Sequence, residues 1–149
     1  MMAGEIFVLA EHRMGELRDI TFEMLTKGHE LAGQLGTQLT AVLLGKDVDG
    51  MAQELAKWAH KVVYVEGDAL KEFNADVYQA VLAGLIREHK PALVMIGHTS
   101  YGVDVAPSLA IQLGLPIATD CIDLCFEDGQ LCVVRQLYGG KVNARARLK

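Results

Sequence analysis

Residues 5–10 read Glu-Ile-Phe-Val-Leu-Ala, a short run that is almost entirely apolar. Such a run is typical of a strand covered on both faces, as strands are in a parallel sheet between two layers of helices. Comparable apolar runs occur at residues 39–44, 61–65 and 92–96. We therefore predict four buried strands, of which residues 5–10 form the first.

Helical spacing fills the sequence between the first two runs. Apolar residues recur there every three to four positions, at Leu17, Ile20, Met24, Leu25, Leu31, Ala32 and Leu35. Asp19 is the candidate N-cap of this amphipathic helix, and Gly36 is where we expect the helix to end. The first strand and this helix make one βα unit.

The same pattern predicts two more helices, one after each of the next two runs. Asp49 is the candidate cap of a short helix that carries Met51 and Leu55, with Trp58 on its inner side. Asn74 is the candidate cap of the next helix. The residues expected on the inner side of that helix are Val77, Val81, Leu85 and Ile86.

A fourth helix is expected over residues 103–113, with Ser100 as its cap and Gly114 and Pro116 at its end. Four βα units with short connections predict an α/β fold in three layers, because right-handed crossovers leave few other arrangements. The predicted fold is Rossmann-like, of the adenine nucleotide α-hydrolase-like type, with a parallel sheet and antiparallel strands added at its C-terminal end.

After Pro116 the periodicity changes to that of short strands. We predict strands over residues 121–126, residues 131–137 and Val142–Leu148, joined by hairpin turns at residues 127–130 and at Gly139-Gly140. These strands are expected to extend the edge of the parallel sheet. The chain ends inside the last one, which we interpret as a sign of truncation, and we expect residues 1–149 to form a single domain.

Composition narrows the class of protein. The chain has 149 residues, 51% of them hydrophobic and 22% charged, which is typical of a globular domain and not of a disordered one. The net charge of -5 gives no electrostatic reason to expect nucleic acid as a partner. No apolar stretch has the roughly 20 residues of a membrane span, and residues 1–10 do not resemble a leader. We expect a cytoplasmic protein, or a mitochondrial matrix protein if it is eukaryotic.

The three cysteines, Cys121, Cys125 and Cys132, all lie in the last third of the chain. Their odd number and the lack of a C-x-x-C pair argue against a disulfide framework and against a structural zinc site. Cys121 and Cys125 could share one face of a strand, which leaves a metal pair as an alternative. We predict small buried hydrophobes and no metal site.

A binding crevice is the one candidate site. In doubly wound sheets, ligands bind beyond the carboxyl ends of the strands, where the strand order reverses. If the first and fourth strands are neighbours, the polar residues that converge there are Glu11, His12, His98, Thr99 and Ser100. One interpretation is a binding site with His98 as acid or base. The alternative, which we favour, is that these are loop residues that cap helices, with no catalytic residue among them.

Nucleotide fingerprints are missing from this crevice. The first strand is followed by neither G-x-G-x-x-G nor a P-loop, so we predict that adenine nucleotides do not bind tightly. Two other functions stay open as alternatives. One is a stand-alone adenine-nucleotide-binding module, and the weaker one is an amidohydrolase-like enzyme that uses His98 and Asp104.

Several segments, taken together, resemble the α subunit of electron transfer flavoproteins. They are Val-Leu-Ala-Glu-His at residues 8–12, Gly-Glu-Leu-Arg-Asp at 15–19, Ala-Val-Leu-Leu-Gly at 41–45, Val-Val-Tyr-Val at 62–65, Gly-His-Thr-Ser-Tyr-Gly-Val-Asp-Val-Ala-Pro at 97–107, Ala-Thr-Asp-Cys at 118–121 and Arg-Gln-Leu-Tyr-Gly-Gly at 135–140. The residues that depart from those common in the family are Val103, Ser108, Gln136 and Lys141.

The resemblance implies a role that the residues alone do not give. The complete α subunit pairs with a β subunit, carries FAD mainly in its C-terminal domain, and passes electrons from dehydrogenases to an acceptor. Residues 1–149 would then be the N-terminal scaffold and subunit-interface domain, with the FAD domain absent from this sequence. We expect this chain to be an electron carrier component, not an enzyme, and to bind no FAD alone.

Overall fold

The structure is a computed structural model that describes residues 4–97, 99–115, 117, 121–127, 130–137 and 142–148, with side chains up to residue 117 and at Leu124. Its elements, in chain order, are β1 (Ile6–Leu9), β2 (His12–Arg13), β3 (Glu16–Leu17), α1 (Asp19–Leu35), β4 (Leu39–Gly45), α2 (Asp49–Leu55), β5 (Lys61–Glu66), a 3-10 turn (Asp68–Leu70), α3 (Ala75–His89), β6 (Leu93–Met95), α4 (Ser100–Leu113), β7 (Cys121–Glu127), β8 (Gln130–Leu137) and β9 (Val142–Leu148). Among these elements no helix combines the length and the apolar character that a membrane crossing requires.

Four strands form a parallel sheet in the order β5-β4-β1-β6. The four strands predicted from the apolar runs are confirmed, and the condition set for the crevice is met, because the first strand pairs with the fourth. The chain leaves β1 toward β4 and β5 on one side and later returns to β6 on the other. The strand order therefore reverses between β1 and β6, which is where such a sheet offers a crevice.

Helices cover both faces of this sheet, which gives the predicted three layers. Successive residues of β1 point to opposite faces. Ile6 packs with Leu25 of α1 in one buried cluster, to which α2 contributes Leu55. Phe7 packs in the other cluster with side chains of α3 and α4, among them Val105. Each large apolar side chain buried in this way contributes about 1.5–3 kcal/mol to the free energy of folding.

The three C-terminal strands lie where they were predicted but do not extend the parallel sheet. They form a separate antiparallel sheet in the order β7-β8-β9. Consecutive strands with short connections satisfy their backbone hydrogen bonds locally, so no bond to the parallel sheet is needed. Leu124 of β7 packs against the cluster that contains α1. The predicted turn residues 128–129 and 139–140 lie outside the described residues.

Three of the four predicted helix caps, Asp19, Asp49 and Ser100, are wrong by one residue. Asp19 and Asp49 are the first residues of α1 and α2, and neither helix has a side-chain hydrogen bond from its N-cap residue. In the first turn their carboxylates still interact favourably with the positive end of the helix. Asn74 is confirmed as the cap of α3, because its side chain accepts a hydrogen bond of 3.2 Å from the Val77 amide. Gly36, with φ at 67°, ends α1 as predicted.

Trp58 is not a core residue. The helix α2 ends at Leu55, before Trp58, and the indole is 42% exposed with its ring centroid 5.2 Å from that of Phe22. The inner side of α3 is also rotated relative to the prediction. Of the four residues expected on the inner side, Ile86 is buried and the other three are only partly buried. The residues of α3 that are buried are Tyr78, Leu82, Ala83 and Ile86.

Candidate functional site

The crevice at the carboxyl ends of β1 and β6 is bordered by a small hairpin that the sequence did not reveal. Residues after β1 form β2 and β3, joined through Met14 and Gly15 with φ angles of 54° and 82°. Two successive positive φ values are typical of the tight turns that connect paired strands. The segment at residues 11–13, which was expected to be a loop, therefore has a fixed backbone.

The Glu11 carboxylate lies at the N-terminus of α4. Its Oε1 accepts a hydrogen bond of 2.5 Å from the Thr99 hydroxyl, and the Thr99 oxygen in turn accepts one of 3.2 Å from the Gly102 amide. Thr99 is thus the N-cap of α4, and Ser100, which was predicted to be the cap, is an exposed first helical residue. A carboxylate at this position is stabilised by the positive end of the helix.

The backbone of Glu11 is fixed as well. The hydroxyl of Thr21, which is fully buried, accepts a hydrogen bond of 2.9 Å from the Glu11 amide and donates one of 3.0 Å to the Glu11 carbonyl. Glu11 therefore connects the end of β1 to α1 through its backbone and to α4 through its side chain. Such a residue holds the loop in place and has little freedom to contact a ligand.

His12 and Tyr78 meet at the end of β4. The carbonyl of Leu44 lies 2.7 Å from His12 Nε2 and 3.1 Å from the Tyr78 hydroxyl. Since a carbonyl only accepts hydrogen bonds, both side chains donate, and the Nε2 of His12 carries a proton. Burial, with a smaller contribution from Tyr101, raises the pKa of Tyr78 to about 12, so the phenol remains a donor at neutral pH.

Three aromatic rings, which we call the ring cluster, fill the crevice. They belong to Phe73, Tyr78 and Tyr101. The rings of Phe73 and Tyr101 are stacked, with centroids 4.0 Å apart and planes at 8°, and Tyr78 packs edge-on against Phe73 at 4.9 Å. The guanidinium carbon of Arg13 lies 6.0 Å from the centroid of Tyr101. The three rings occupy nearly all of the space in the crevice.

The sequence interpretation did not include the ring cluster. Tyr101 lies in the first turn of the helix that follows β6, and Phe73 directly precedes the cap of α3. Both positions face the carboxyl ends of the strands. An aromatic residue at the start of each of two helices on the same side of a sheet is the signal that could have identified the pair.

The space that remains in the crevice is about 10 Å³. A cavity of that size holds about one water molecule, whereas pockets for small molecules measure about 300–1,000 Å³. In the part of the chain that the structure describes, every buried side-chain nitrogen and oxygen has a hydrogen-bond partner. The crevice thus has neither the room nor the unpaired polar groups of an open binding site.

Of the predicted crevice residues, the structure brings together Glu11 and Thr99. His12 contacts the end of β4, and Ser100 lies on the exposed side of α4. His98 lies outside the described residues, so the structure does not describe the pairing of His98 with Asp104 that the amidohydrolase-like alternative would use. Asp104, the other residue of that pairing, is exposed on α4.

No metal centre is evident within the described residues, where no group of three or more His, Cys, Asp and Glu side chains comes together. The cysteine side chains lie outside the described part, so the prediction that they are buried hydrophobes stays a prediction. Their backbone shows a register shift between Cys121 and Asp123 in the pairing of β7 with β8. Simple alternation along β7 therefore does not place Cys121 and Cys125 on one face.

A stripe of apolar residues runs along the outer side of α4. Its members, four positions apart, are Val103, Pro107, Ile111 and Leu115, and we call them the α4 stripe. The exposed fractions of Val103, Ile111 and Leu115 are 45%, 83% and 47%. Val103, Pro107 and Ile111 share one face of the helix at this spacing. Leu115 follows directly after the C-cap Gly114, so exposed apolar side chains continue past the end of α4.

Comparison with known proteins identifies a family that matches nearly the whole chain. The model of the electron transfer flavoprotein domain matches residues 6–149. The chain is 37% identical over 145 residues to the electron transfer flavoprotein subunit alpha of Bacillus subtilis, which covers 97% of this chain and 44% of that protein. With the subunit alpha of Syntrophomonas wolfei the identity is 38% over 148 residues, or 99% of this chain and 45% of the relative.

A third relative is named for a different role. The acryloyl-CoA reductase electron transfer subunit beta of Anaerotignum propionicum is 36% identical over 121 residues, which cover 80% of this chain and 33% of that protein. The chain spans less than half the length of these three relatives.

Proposed function

This chain belongs to the electron transfer flavoprotein family, and from that premise we propose that residues 1–149 form the N-terminal scaffold and subunit-interface domain of an α subunit. The observation that carries the proposal is the match of nearly the whole chain to less than half of each relative named as a subunit alpha. The complete protein would carry electrons from dehydrogenases to an acceptor. This segment would be a structural part of that carrier and not itself a catalyst.

The filled crevice supports the assignment of FAD to the rest of the complete protein. A flavin needs a deep pocket of several hundred Å³ with a few converging polar groups. The crevice offers about 10 Å³, and in the described part of the chain the buried polar atoms are already paired. The residues of the crevice therefore do not fit FAD as they are arranged. The same argument disfavours a stand-alone adenine-nucleotide-binding module.

The absorption spectrum of the purified 149-residue chain tests this division of labour. The chain is mixed with excess FAD and desalted, and its absorption is measured at the visible wavelengths of the flavin, where protein without a chromophore is transparent. We expect no retained flavin band. A band that corresponds to nearly one flavin per chain would contradict the proposal, because the cofactor would then be bound by this domain.

The partner that we propose is a β subunit of the same family, and the α4 stripe is the surface proposed to contact it. Two observations favour this. The relatives are named as subunits of electron transfer proteins, and the α4 stripe is an exposed apolar surface of the kind that subunit interfaces cover. Size-exclusion chromatography of the chain with and without a co-expressed β subunit tests the pairing. Separate elution of the two chains at micromolar concentration would contradict it.

A further inference from the structure

We propose that the crevice is a closed binding site for a flat, uncharged aromatic ring, and that Tyr101 occupies the ring's place. A ligand of this class binds on Phe73 when the Tyr101 side chain moves out. The inference concerns the crevice alone and does not depend on the proposed role in electron transfer. It starts from the geometry of the Phe73–Tyr101 pair.

The Tyr101 ring lies on the Phe73 ring in the way that a planar ligand stacks on an aromatic side chain. The planes are within 8° of parallel and the centroids 4.0 Å apart, whereas Tyr78 meets Phe73 edge-on at 71°. Planar rings such as nucleobases bind proteins by stacking on aromatic side chains in this way. Phe73 thus presents one face to Tyr101 and is supported from another direction by Tyr78.

The lining of the crevice has the composition of a ring pocket. Besides the ring cluster itself, the residues that line the crevice include Leu9, Ala10, Ile96, Gly97 and Val105. Apolar walls with a few polar groups at the rim are typical of small-molecule sites. Phe73 also lines an open groove of about 360 Å³ formed by residues 68–74, so the platform borders a surface that solvent reaches.

Charge selects the class of ligand. The crevice ends at the N-terminus of α4, where a nucleotide phosphate would be expected to bind. That position holds the Glu11 carboxylate, which is bonded to the capping hydroxyl of Thr99 at 2.5 Å. A phosphate would meet this negative charge in place of free amide groups. The Arg13 guanidinium lies over the ring's place, 6.0 Å from the Tyr101 centroid, and Glu11 lies at the helix end. The site is therefore expected to take an uncharged ring, such as a nucleoside, in preference to a nucleotide whose phosphate would lie at the helix N-terminus.

Tyr101 is the residue that closes the site. Its side chain is only partly buried, and its ring lies under the Arg13 guanidinium, 6.0 Å away. When a binding-competent state is rarely populated, the apparent affinity falls in proportion to that population. The wild-type chain should consequently bind rings weakly, although the platform is complete.

Calorimetric titration with adenosine as the probe tests the proposal. Tyr101→Ala should bind adenosine about tenfold or more tighter than the wild type, because the vacated face of Phe73 accepts the base. Tyr101→Phe keeps the ring and should bind as weakly as the wild type. Trp58→Ala is the matched control, since it removes a ring that packs on another phenylalanine, Phe22, on the opposite face of the sheet.

Two results would overturn the proposal. One is a folded Tyr101→Ala variant, verified by its circular dichroism and cooperative unfolding, that binds adenosine no better than the wild type. The other is a Tyr101→Phe variant that binds adenosine as tightly as Tyr101→Ala, which would mean that the ring of residue 101 does not close the site. If Tyr101→Ala does not fold, Tyr101→Leu replaces it, and its affinity must exceed that of Tyr101→Phe for the proposal to stand.

The role of Glu11 is tested with AMP beside adenosine. In Tyr101→Ala, AMP should bind no tighter than adenosine. Adding Glu11→Gln should raise the ratio of AMP affinity to adenosine affinity about two- to fivefold, because a repelling charge is removed from the helix N-terminus. An unchanged ratio would refute the assignment of Glu11 as the group that excludes phosphate.

Discussion

Gly102 has no side chain, and the space that a Cβ atom would take is occupied by the carbonyl of Gly97. A Cβ built on Gly102 would lie 1.7 Å from that oxygen, which belongs to the backbone and has no rotamer by which to move aside. The contact sets how closely the first turn of α4 approaches the end of β6. The positions of Thr99 and Tyr101 in the crevice depend on this close approach.

We expect Gly102→Ala to reduce the free energy of unfolding by about 3 kcal/mol, because the added methyl group forces the helix away from the loop. Gly84→Ala is the matched control. Gly84 lies on the exposed side of α3, with no atom within 4 Å of the place that a Cβ would take, and alanine there should stabilise the chain by about 0.5–1 kcal/mol. Urea unfolding of the two variants decides the matter, and equal stabilities would contradict the expected clash.

Glu5, at the opposite end of the sheet, holds a second polar network. Its carboxylate accepts hydrogen bonds from Thr40 at 2.5 Å and from Lys61 at 3.3 Å, and it lies 3.2 Å from Nδ1 of His89. Burial by itself would raise the pKa of Glu5. The hydrogen bonds and the positive charge around it outweigh burial, and the pKa lies below its usual value of 4.5.

The lowered pKa of Glu5 makes part of the stability depend on pH. A carboxyl whose pKa is lower in the folded state stabilises the fold at pH values above the pKa of the unfolded chain, and this contribution is lost as the pH falls through the folded-state pKa. The difference in unfolding free energy between the wild type and Glu5→Gln should therefore be large at neutral pH and small at about pH 3. Glu88→Gln, at an exposed position of α3, should give a small difference at both. A difference for Glu5→Gln that grows on acidification would contradict the argument.

At the scale of the elements, α4 joins the crevice to the rest of the fold through its first turn. The residues of this turn have distinct tasks: Thr99 caps the helix, Ser100 is exposed, and Tyr101 fills the crevice. A helix leaves four amide groups without partners at its N-terminus, so the capping side chain matters more than its neighbour. The two adjacent hydroxyl residues allow this to be measured within one turn.

Thr99→Ala should lower the free energy of unfolding by about 1–2 kcal/mol, because the helix loses its cap and Glu11 loses its hydrogen-bond donor. Ser100→Ala should change it by less than about 0.5 kcal/mol, as is usual for an exposed position. Thermal and urea unfolding of both variants provide the comparison. A larger loss from Ser100→Ala would mean that the cap lies where the sequence first suggested.

On the scale of the whole molecule, the α4 stripe is an apolar surface that the described part of the chain leaves uncovered. Its outermost side chain, that of Ile111, is 83% exposed and contributes little to the core. A residue of this kind affects association more than folding. The proposed pairing with a β subunit can therefore be tested without disturbing the domain.

Ile111→Ser should leave the free energy of unfolding within about 0.5 kcal/mol of the wild type and weaken binding to the β subunit about tenfold. Met14→Ser is the matched control, because Met14 is 94% exposed but lies in the β2–β3 turn, outside the α4 stripe. Analytical ultracentrifugation of each variant with the β subunit measures the effect. Equal binding by both variants would remove the α4 stripe from the interface.

Much of the architecture followed from local patterns. The apolar runs predicted the four parallel strands, and the turn residues predicted the strand positions after α4, because both signals are contained within a few neighbouring residues. Helix starts were less accurate. At Asp19, Asp49 and Ser100 the predicted cap is the first residue of the helix, since several adjacent polar residues can serve and only the backbone geometry selects one.

The sequence by itself determined the α/β class, the parallel sheet and the segments that carry the family resemblance, because periodicity and turn chemistry are properties of neighbouring residues. Only the tertiary structure decided what the crevice contains. Glu11 and Thr99, which share a hydrogen bond, are 88 positions apart, and Phe73 and Tyr101 come from the starts of two different helices. Contacts of this kind depend on how the elements pack, and no local pattern encodes them.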